Sequence, residues 1–207
     1  MKRHLFFVIC FLCSLTTFSQ TIDFNENRIE PSNNIFKLSY GPAVMLSDFV
    51  DYGPAVMLSD FVEWDGKIYR NASMLNLSFD YEHVWNNGFG FGINASQNHC
   101  SKGNFNVFYV GPSLVYNRTT KRGFRLDAAF GIGYAANDLD IVKSRNGVGT
   151  FASFSLDYMF TKHIGLGAEV REMVTTYRKP KGGVFDKYEG RYGIDWIGIS
   201  LGVRYCF

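Results

Sequence analysis

From Ile197 to Phe207 the chain alternates without a break. Ile197, Ile199, Leu201, Val203, Tyr205 and Phe207 fall on one face of an extended strand, and Gly198, Ser200, Gly202, Arg204 and Cys206 on the other. One face is continuously apolar and the other small or polar. The same period of two recurs upstream. Phe36, Leu38, Tyr40, Pro42, Val44 and Leu46 oppose Lys37, Ser39, Gly41, Ala43 and Met45. Leu75, Leu77, Phe79 and Tyr81 oppose Asn76, Ser78, Asp80 and Glu82. Phe124, Leu126, Ala128, Phe130, Ile132 and Tyr134 oppose Arg125, Asp127, Ala129, Gly131, Gly133 and Ala135. Shorter runs of the same kind lie near 88–96, 104–116, 153–160 and 164–171. The pattern predicts eight strands, the first starting near Ile35 and the second covering about 72–84.

The connections alternate in length. Those at 84–88, 117–123 and 161–163 are short, and those at 47–71, 97–103, 137–147 and 174–190 are long. Trp85-Asn-Asn-Gly88 carries Asn-Gly turn chemistry. Pro112 interrupts the fourth strand and predicts a bulge there. The large side chains (Phe, Tyr, Leu) occupy the apolar face, while Gly, Ser, Ala and scattered charges occupy the other. A core of Gly, Ser, Asp and Arg does not stabilise a soluble barrel, so the apolar face is read as facing lipid. The fold class is therefore all-β: an eight-stranded antiparallel up-and-down transmembrane β-barrel over 35–207. Tyr81, Trp85, Tyr116, Tyr134, Trp196, Tyr205 and Phe207 are its expected interfacial aromatics.

One stretch is duplicated. Tyr40-Gly-Pro-Ala-Val-Met-Leu-Ser-Asp-Phe-Val50 returns as Tyr52-Gly-Pro-Ala-Val-Met-Leu-Ser-Asp-Phe-Val62. The spacing of 12 is even, so either copy would keep the same side chains on the same face. The first copy is favoured as the first strand, because 35–39 continues its alternation.

Before the barrel, Met1-Lys-Arg-His is basic, 5–18 is apolar with few interruptions, and Thr17-Phe18-Ser19 offers a small-x-small cleavage site before Gln20, which reads as a signal peptide over 1–19. A polar lead-in follows at 20–34. With Lys2 and Arg3 removed, 19 basic and 19 acidic residues remain, which gives no footprint for nucleic acid. No later stretch reaches the roughly 18 apolar residues of a membrane helix. Cys100 and Cys206 are placed at opposite ends of the barrel, too far apart for a disulfide.

The C-terminal stretch, with Tyr205 and Phe207, resembles the assembly signal of bacterial outer-membrane barrels. The whole chain after residue 19 resembles the small outer-membrane β-barrel proteins of the OmpX/OmpA-barrel type. That resemblance implies the bacterial outer membrane as location, and a structural or surface-interaction role without enzymatic activity or cofactor. It also implies a monomer whose partners are outer-membrane lipids, lipopolysaccharide and the outer-membrane assembly machinery.

Three groups of residues carry candidate chemistry. Arg125, Asp127, Asp157, Glu169, Arg171 and Arg204, with Lys37, Asp80 and Glu82, face inward. An eight-stranded barrel is just wide enough for side chains to fill, so these charges are expected to plug the lumen. The opposing reading is a narrow pore for small solutes. Arg178, Lys179, Lys181, Lys187 and Arg191 in the last long loop are candidates for contact with lipopolysaccharide phosphates. His99-Cys-Ser101 has a His-x-Ser spacing similar to that of the outer-membrane lipid A deacylases, in which Ser is the nucleophile and His its base. No acidic residue stands about a dozen positions downstream, where that family places one. The Gly-x-Gly pairs at 88–92, 131–133 and 165–167 open no helix and are read as small lumen residues. The Asn-x-Ser/Thr triplets at Asn71, Asn76, Asn94 and Asn117 fall within or beside strands and are not read as glycan sites.

Overall fold

The computed structural model describes residues 33–45, 55–57, 73–101, 104–120, 123–138, 145–178 and 191–207. The leader at 1–19 and nearly all of the lead-in lie outside the described residues. Every regular element among the described residues is a strand. They are β1 (Asn34–Met45), β2 (Ala55–Met57), β3 (Ser73–Val84), β4 (Phe89–Cys100) and β5 (Phe105–Thr119). β6 (Phe124–Asp138), β7 (Arg145–Met159), β8 (Ile164–Arg178) and β9 (Arg191–Cys206) complete the chain.

Leaving β2 aside, each strand pairs antiparallel with the next, and β1 pairs with β9 from Ile35↔Cys206 to Met45↔Trp196. The result is a closed eight-stranded barrel with no free long edge, so the backbone groups of each wall strand are satisfied by its neighbours. Connections at 85–88, 120–123 and 160–163 mark a turn end; the others mark a loop end. In the first turn the Trp85 N–H donates to the Phe89 carbonyl, and Gly88 takes a φ of 89°, a conformation that favours glycine.

The alternation sets which side each residue faces. Lys37, Asp80, Glu82, Arg125 and Asp157 are buried inside, while Leu114 and Leu201 on the outside are 72% and 70% exposed. The outward apolar surface runs around all eight wall strands, far beyond the few hundred Å² that a water-soluble surface tolerates. At the turn end it finishes in an aromatic belt. Phe36 stacks on Phe79 and Phe207 with ring centroids 5.6 and 5.4 Å apart, and Tyr205 lies 5.8 Å from Phe207. Phe89–Tyr116 and Phe124–Tyr158 continue it at 5.0 and 5.1 Å.

The strands run further toward the loop end than the alternation of apolar outward residues indicates. The connection expected at 97–103 contracts, because β4 continues to Cys100 and β5 starts at Phe105. β6 likewise reaches Asp138, and β8 reaches Arg178. The physical reason is an inversion of faces. Near the loop end the outward positions turn polar, as at Gln97, His99 and Asn106, while the inward positions become apolar, as at Cys100, Phe105 and Val107. Trp196 belongs to this inner set. It shares parity with Gly198, points into the barrel and is fully buried, which corrects its expected place in the outer aromatic belt.

The bulge expected at Pro112 is also absent. The register of β5 against β4 is constant across it, from Phe89↔Tyr116 to Cys100↔Phe105. Only the ladder to β6 lapses at residues 111–112, between Val110↔Tyr134 and Ser113↔Gly131, and the register resumes unshifted. The other Gly-Pro pair, at 41–42, behaves alike: the ladder to β9 lapses there and the ladder to β3 does not. A proline lacks one N–H, so it interrupts one ladder and leaves the other intact.

The first copy of the duplication supplies β1 from Tyr40 to Met45. Of the second copy, Ala55-Val-Met57 forms β2, which lies parallel to the loop end of β9 at Arg191–Gly193, beyond the point where β1 stops. Moving the second copy into the β1 position would bring Phe49 to the place of Lys37 and Asp48 to the place of Phe36. An aromatic would then replace a lumen cation, and a carboxylate would enter the aromatic belt. The repeat is interchangeable only within itself, and its flanks decide the choice. Deleting residues 40–51 regenerates the same β1 sequence from the second copy. That deletion is expected to fold to the same barrel, with the boiling-dependent gel shift of the parent protein preserved.

Candidate functional site

The lumen is the part of the molecule where chemistry-bearing side chains converge. Lys37 on β1 places its ammonium against both Glu82 of β3 and Asp127 of β6. Asp127 also accepts a hydrogen bond from Asn117 Nδ2 at 3.0 Å. Asp157 on β7 sits between two guanidinium groups: Arg204 Nε donates to its Oδ1 at 2.9 Å, and Arg125 Nη2 forms an ion pair with its Oδ2 at 3.0 Å. Arg204 Nη1 donates to Ser39 Oγ at 2.8 Å. Higher in the barrel, Arg171 Nη2 donates to Asp80 Oδ2 at 2.7 Å, and its Nε lies 2.8 Å from Glu169 Oε1. Asn94 Nδ2 completes Asp80 at 2.7 Å. Arg204 Nη2 reaches Glu169 Oε2 at 4.0 Å and so joins the two halves.

The inward residues singled out from the sequence, Arg125, Asp127, Asp157, Glu169, Arg171 and Arg204, thus lie in one network with Lys37, Asp80 and Glu82. All nine are 2% exposed or less. Glycine opposite the charges makes room for them. A Cβ at Gly167 would fall on the Asp157 carboxylate and come within 3.1 Å of Arg204 Nε. Asn76, Asn94 and Asn117 are lumen residues with hydrogen-bonded amides, which removes them from any glycan acceptor role.

Apolar layers close the network at both ends. At the turn end these are Ile35, Val84, Met159 and Cys206, each within two residues of its strand terminus. At the loop end the main fillers are Tyr109, Phe151, Met173 and Trp196. Tyr109 and Phe151 meet edge to face at 5.6 Å, and the Arg171 guanidinium lies 4.9 Å from the Phe151 ring centroid. The alternation predicts polar side chains throughout the lumen; this loop-end layer is apolar instead. Its signal was present in the parity of Phe105, Val107 and Tyr109, which continue the inward face of β5.

The remaining candidates lie toward the ends. The imidazole of His99 belongs to the outward face of β4, and its Nδ1 lies 3.0 Å from Asn106 Oδ1. An amide, rather than a carboxylate, orients the ring. Ser101 follows in an exposed turn. Cys100 and Cys206 are both free and buried, at the loop end and the turn end respectively. Arg178 and Arg191 pair at the loop ends of β8 and β9. Lys179, Lys181 and Lys187 lie outside the described residues.

A closed up-and-down ring of eight strands, apolar outside and charged inside, is the architecture of the small outer-membrane β-barrels. Solved structures bear this out: the Neisserial surface protein A superposes with a TM-score of 0.60 at 13% identity, covering 85% of this chain and 98% of that one. The outer membrane protein OprG of Pseudomonas aeruginosa gives a TM-score of 0.48 at 15% identity, over 89% and 100% of the two chains. The outer membrane enzyme PagL gives 0.47 at 11%, over 84% and 99%. At these identities the likeness is one of fold. The chain belongs to the family described as a domain of unknown function, DUF2715, which matches residues 51–205. No curated protein matches the sequence.

The geometry of Asp157 gives a direct test. Replacing it with Ala leaves Arg125 and Arg204 buried without their shared counter-charge, and breaking a buried pair in this way costs about 3–5 kcal/mol. Denaturant titration of the protein refolded into lipid vesicles is expected to show a loss of that size.

Proposed function

We propose that this chain is an integral protein of the bacterial outer membrane, exported by the leader at 1–19. Its closed barrel serves as a scaffold that carries the loop-end connections at the cell surface. The turn end faces the periplasm and the loop end the exterior, in line with the short periplasmic turns and longer outer loops of such barrels. One observation carries the reading: the lumen is filled by ion-paired side chains and closed by apolar layers above and below them. A solute would have to displace buried charges from their partners, so the role we propose lies outside the barrel and is structural or one of surface interaction. Purified protein in planar bilayers is expected to give no steady conductance steps. Reproducible ohmic steps would replace the scaffold by a narrow solute pore.

Lipopolysaccharide is the proposed surface partner, through Arg178, Lys179, Lys181, Lys187 and Arg191, since guanidinium and ammonium groups pair with phosphate. Changing all five to Ser is expected to lower lipopolysaccharide affinity and to flatten its salt dependence, as read by binding to lipopolysaccharide-containing vesicles at two ionic strengths. A second reading rests on the outward, Asn106-oriented ring of His99 beside Ser101: hydrolysis of a lipid ester at the outer membrane surface. It requires acyl-chain release from lipid A by the purified protein, abolished in Ser101→Ala.

A further inference from the structure

The outside of the turn end carries its lysines and arginines on one side. On β5 the outward series Leu114, Tyr116 continues to Arg118, which is half-buried and stands opposite Leu126 of β6. Lys162 is exposed in the β7–β8 turn, where Thr161 Oγ1 accepts from the His163 and Ile164 N–H groups at 3.2 and 3.0 Å. The strand ends between them are tied together. Thr120 N–H donates to the Phe124 carbonyl at 2.6 Å, and Met159 N–H to the Gly123 carbonyl at 2.8 Å. The nearby carboxylates Glu82, Asp127 and Asp157 point into the lumen and are buried. Elsewhere on this rim, among the described residues, β1, β3, β4 and β9 end outward in residues such as Phe36, Tyr81, His83, Trp85, Tyr205 and Phe207, without a lysine or arginine.

What these cations meet follows from their depth. Phe124 of β6 and Tyr158 of β7 have ring centroids 5.1 Å apart, and Phe160 lies 5.3 Å from Tyr158. These rings belong to the aromatic belt and line the wall from Arg118 to Lys162. Such belts mark the level of the lipid headgroups. A cation on the lipid face is tolerated at that level and strongly destabilising deeper in. A guanidinium has five N–H donors in a planar fork, so a contact with a neighbouring residue still leaves donors for phosphate oxygens. The Lys162 ammonium adds a second positive charge to the same layer.

We propose that the turn-end face of β5–β7 is a docking surface for an anionic glycerophospholipid. Arg118 and Lys162 supply the positive charge for its phosphate, and Phe124, Tyr158 and Phe160 pack against its glycerol and upper acyl chains. The surface is continuous with the lipid-facing band, which favours a lipid over a soluble anion. The proposal rests on the membrane placement given above. It is independent of lipopolysaccharide binding, which uses cations at the opposite end of the barrel.

The test reconstitutes the full-length protein in phosphatidylcholine nanodiscs that contain a minor share of phosphatidylglycerol. Native mass spectrometry then counts the lipids that stay bound when the protein is released. The parent protein is expected to retain phosphatidylglycerol above its share, less so at raised salt. Arg118→Gln with Lys162→Gln is expected to lower that preference by roughly fivefold for each charge removed. Arg118→Lys keeps the charge and the preference. Replacing the loop-end cations with Ser also leaves the preference in place, which separates this surface from the one at the other end. The boiling-dependent gel shift reports that each variant is folded. A parent protein that does not insert into lipid overturns both the placement and the proposal. An inserted parent without the preference, a preference that survives in the double variant, or one that vanishes with the loop-end cations overturns the proposal alone. So does cosedimentation with peptidoglycan sacculi in place of phospholipid retention, which assigns these cations to the cell wall.

Discussion

The width of an eight-stranded barrel governs the rest of this molecule. Its interior holds side chains and little else, so every polar group directed inward must find a partner among its neighbours. Lys37, Arg125, Arg171 and Arg204 are long enough to reach across, and each meets a carboxylate on another strand. The glycines opposite them are the complementary requirement, as Gly167 shows beside Asp157. Taken alone, such buried pairs stabilise weakly, because desolvation offsets attraction. Their larger effect is on specificity, since a slip of one strand would separate every ion pair which that strand makes.

That specificity explains how a chain with two copies of a strand builds one barrel. Within the repeat, the even spacing makes the copies equivalent for lipid and lumen alike. The choice falls to the flank, where Lys37 answers Glu82 and Asp127, and the corresponding Phe49 would not. The DUF2715 region begins at residue 51 and contains the second copy, while the first provides β1. Of the second copy, Ala55-Val-Met57 forms β2, which pairs parallel with β9 past the end of β1.

The transmembrane part was legible in the sequence because lipid imposes a strict period of two. Runs such as Phe124–Tyr134 and Ile197–Phe207 read directly as wall strands, and the inward charges follow from their parity. Partnership was not legible. Lys37 and Asp127 are 90 residues apart, Arg171 and Asp80 are 91, and Arg204 and Ser39 are 165. Such pairs are fixed by barrel closure and strand stagger, which alternation does not encode. The far ends of the strands were missed for a related reason: at Gln97 and His99 the outward face stops being apolar, and the chain looks like a loop although its backbone stays in the sheet.

The place where the faces invert is itself a physical marker. On β8 the outward series passes from Val170 to Glu172, and on β9 from Ile197 to Asp195; Glu172 pairs with Ile197, so the two switches lie within one residue pair. On β4 the series passes from Ala95 to Gln97, and on β5 from Phe108 to Asn106, with Gln97 opposite Phe108. Neighbouring strands therefore agree on one boundary. From Phe207 to Ile197, a rise of about 3.3 Å per residue at a tilt of about 40° gives a height of about 25 Å, the thickness of the apolar band that such barrels present to lipid. Beyond that boundary the wall is organised like a soluble barrel, with Cys100, Phe105, Val107 and Met173 in its core. The same strands thus serve two solvents in succession. The lumen is charged where the outside is lipid and apolar where the outside is water, because in each zone the large apolar side chains go where water is absent.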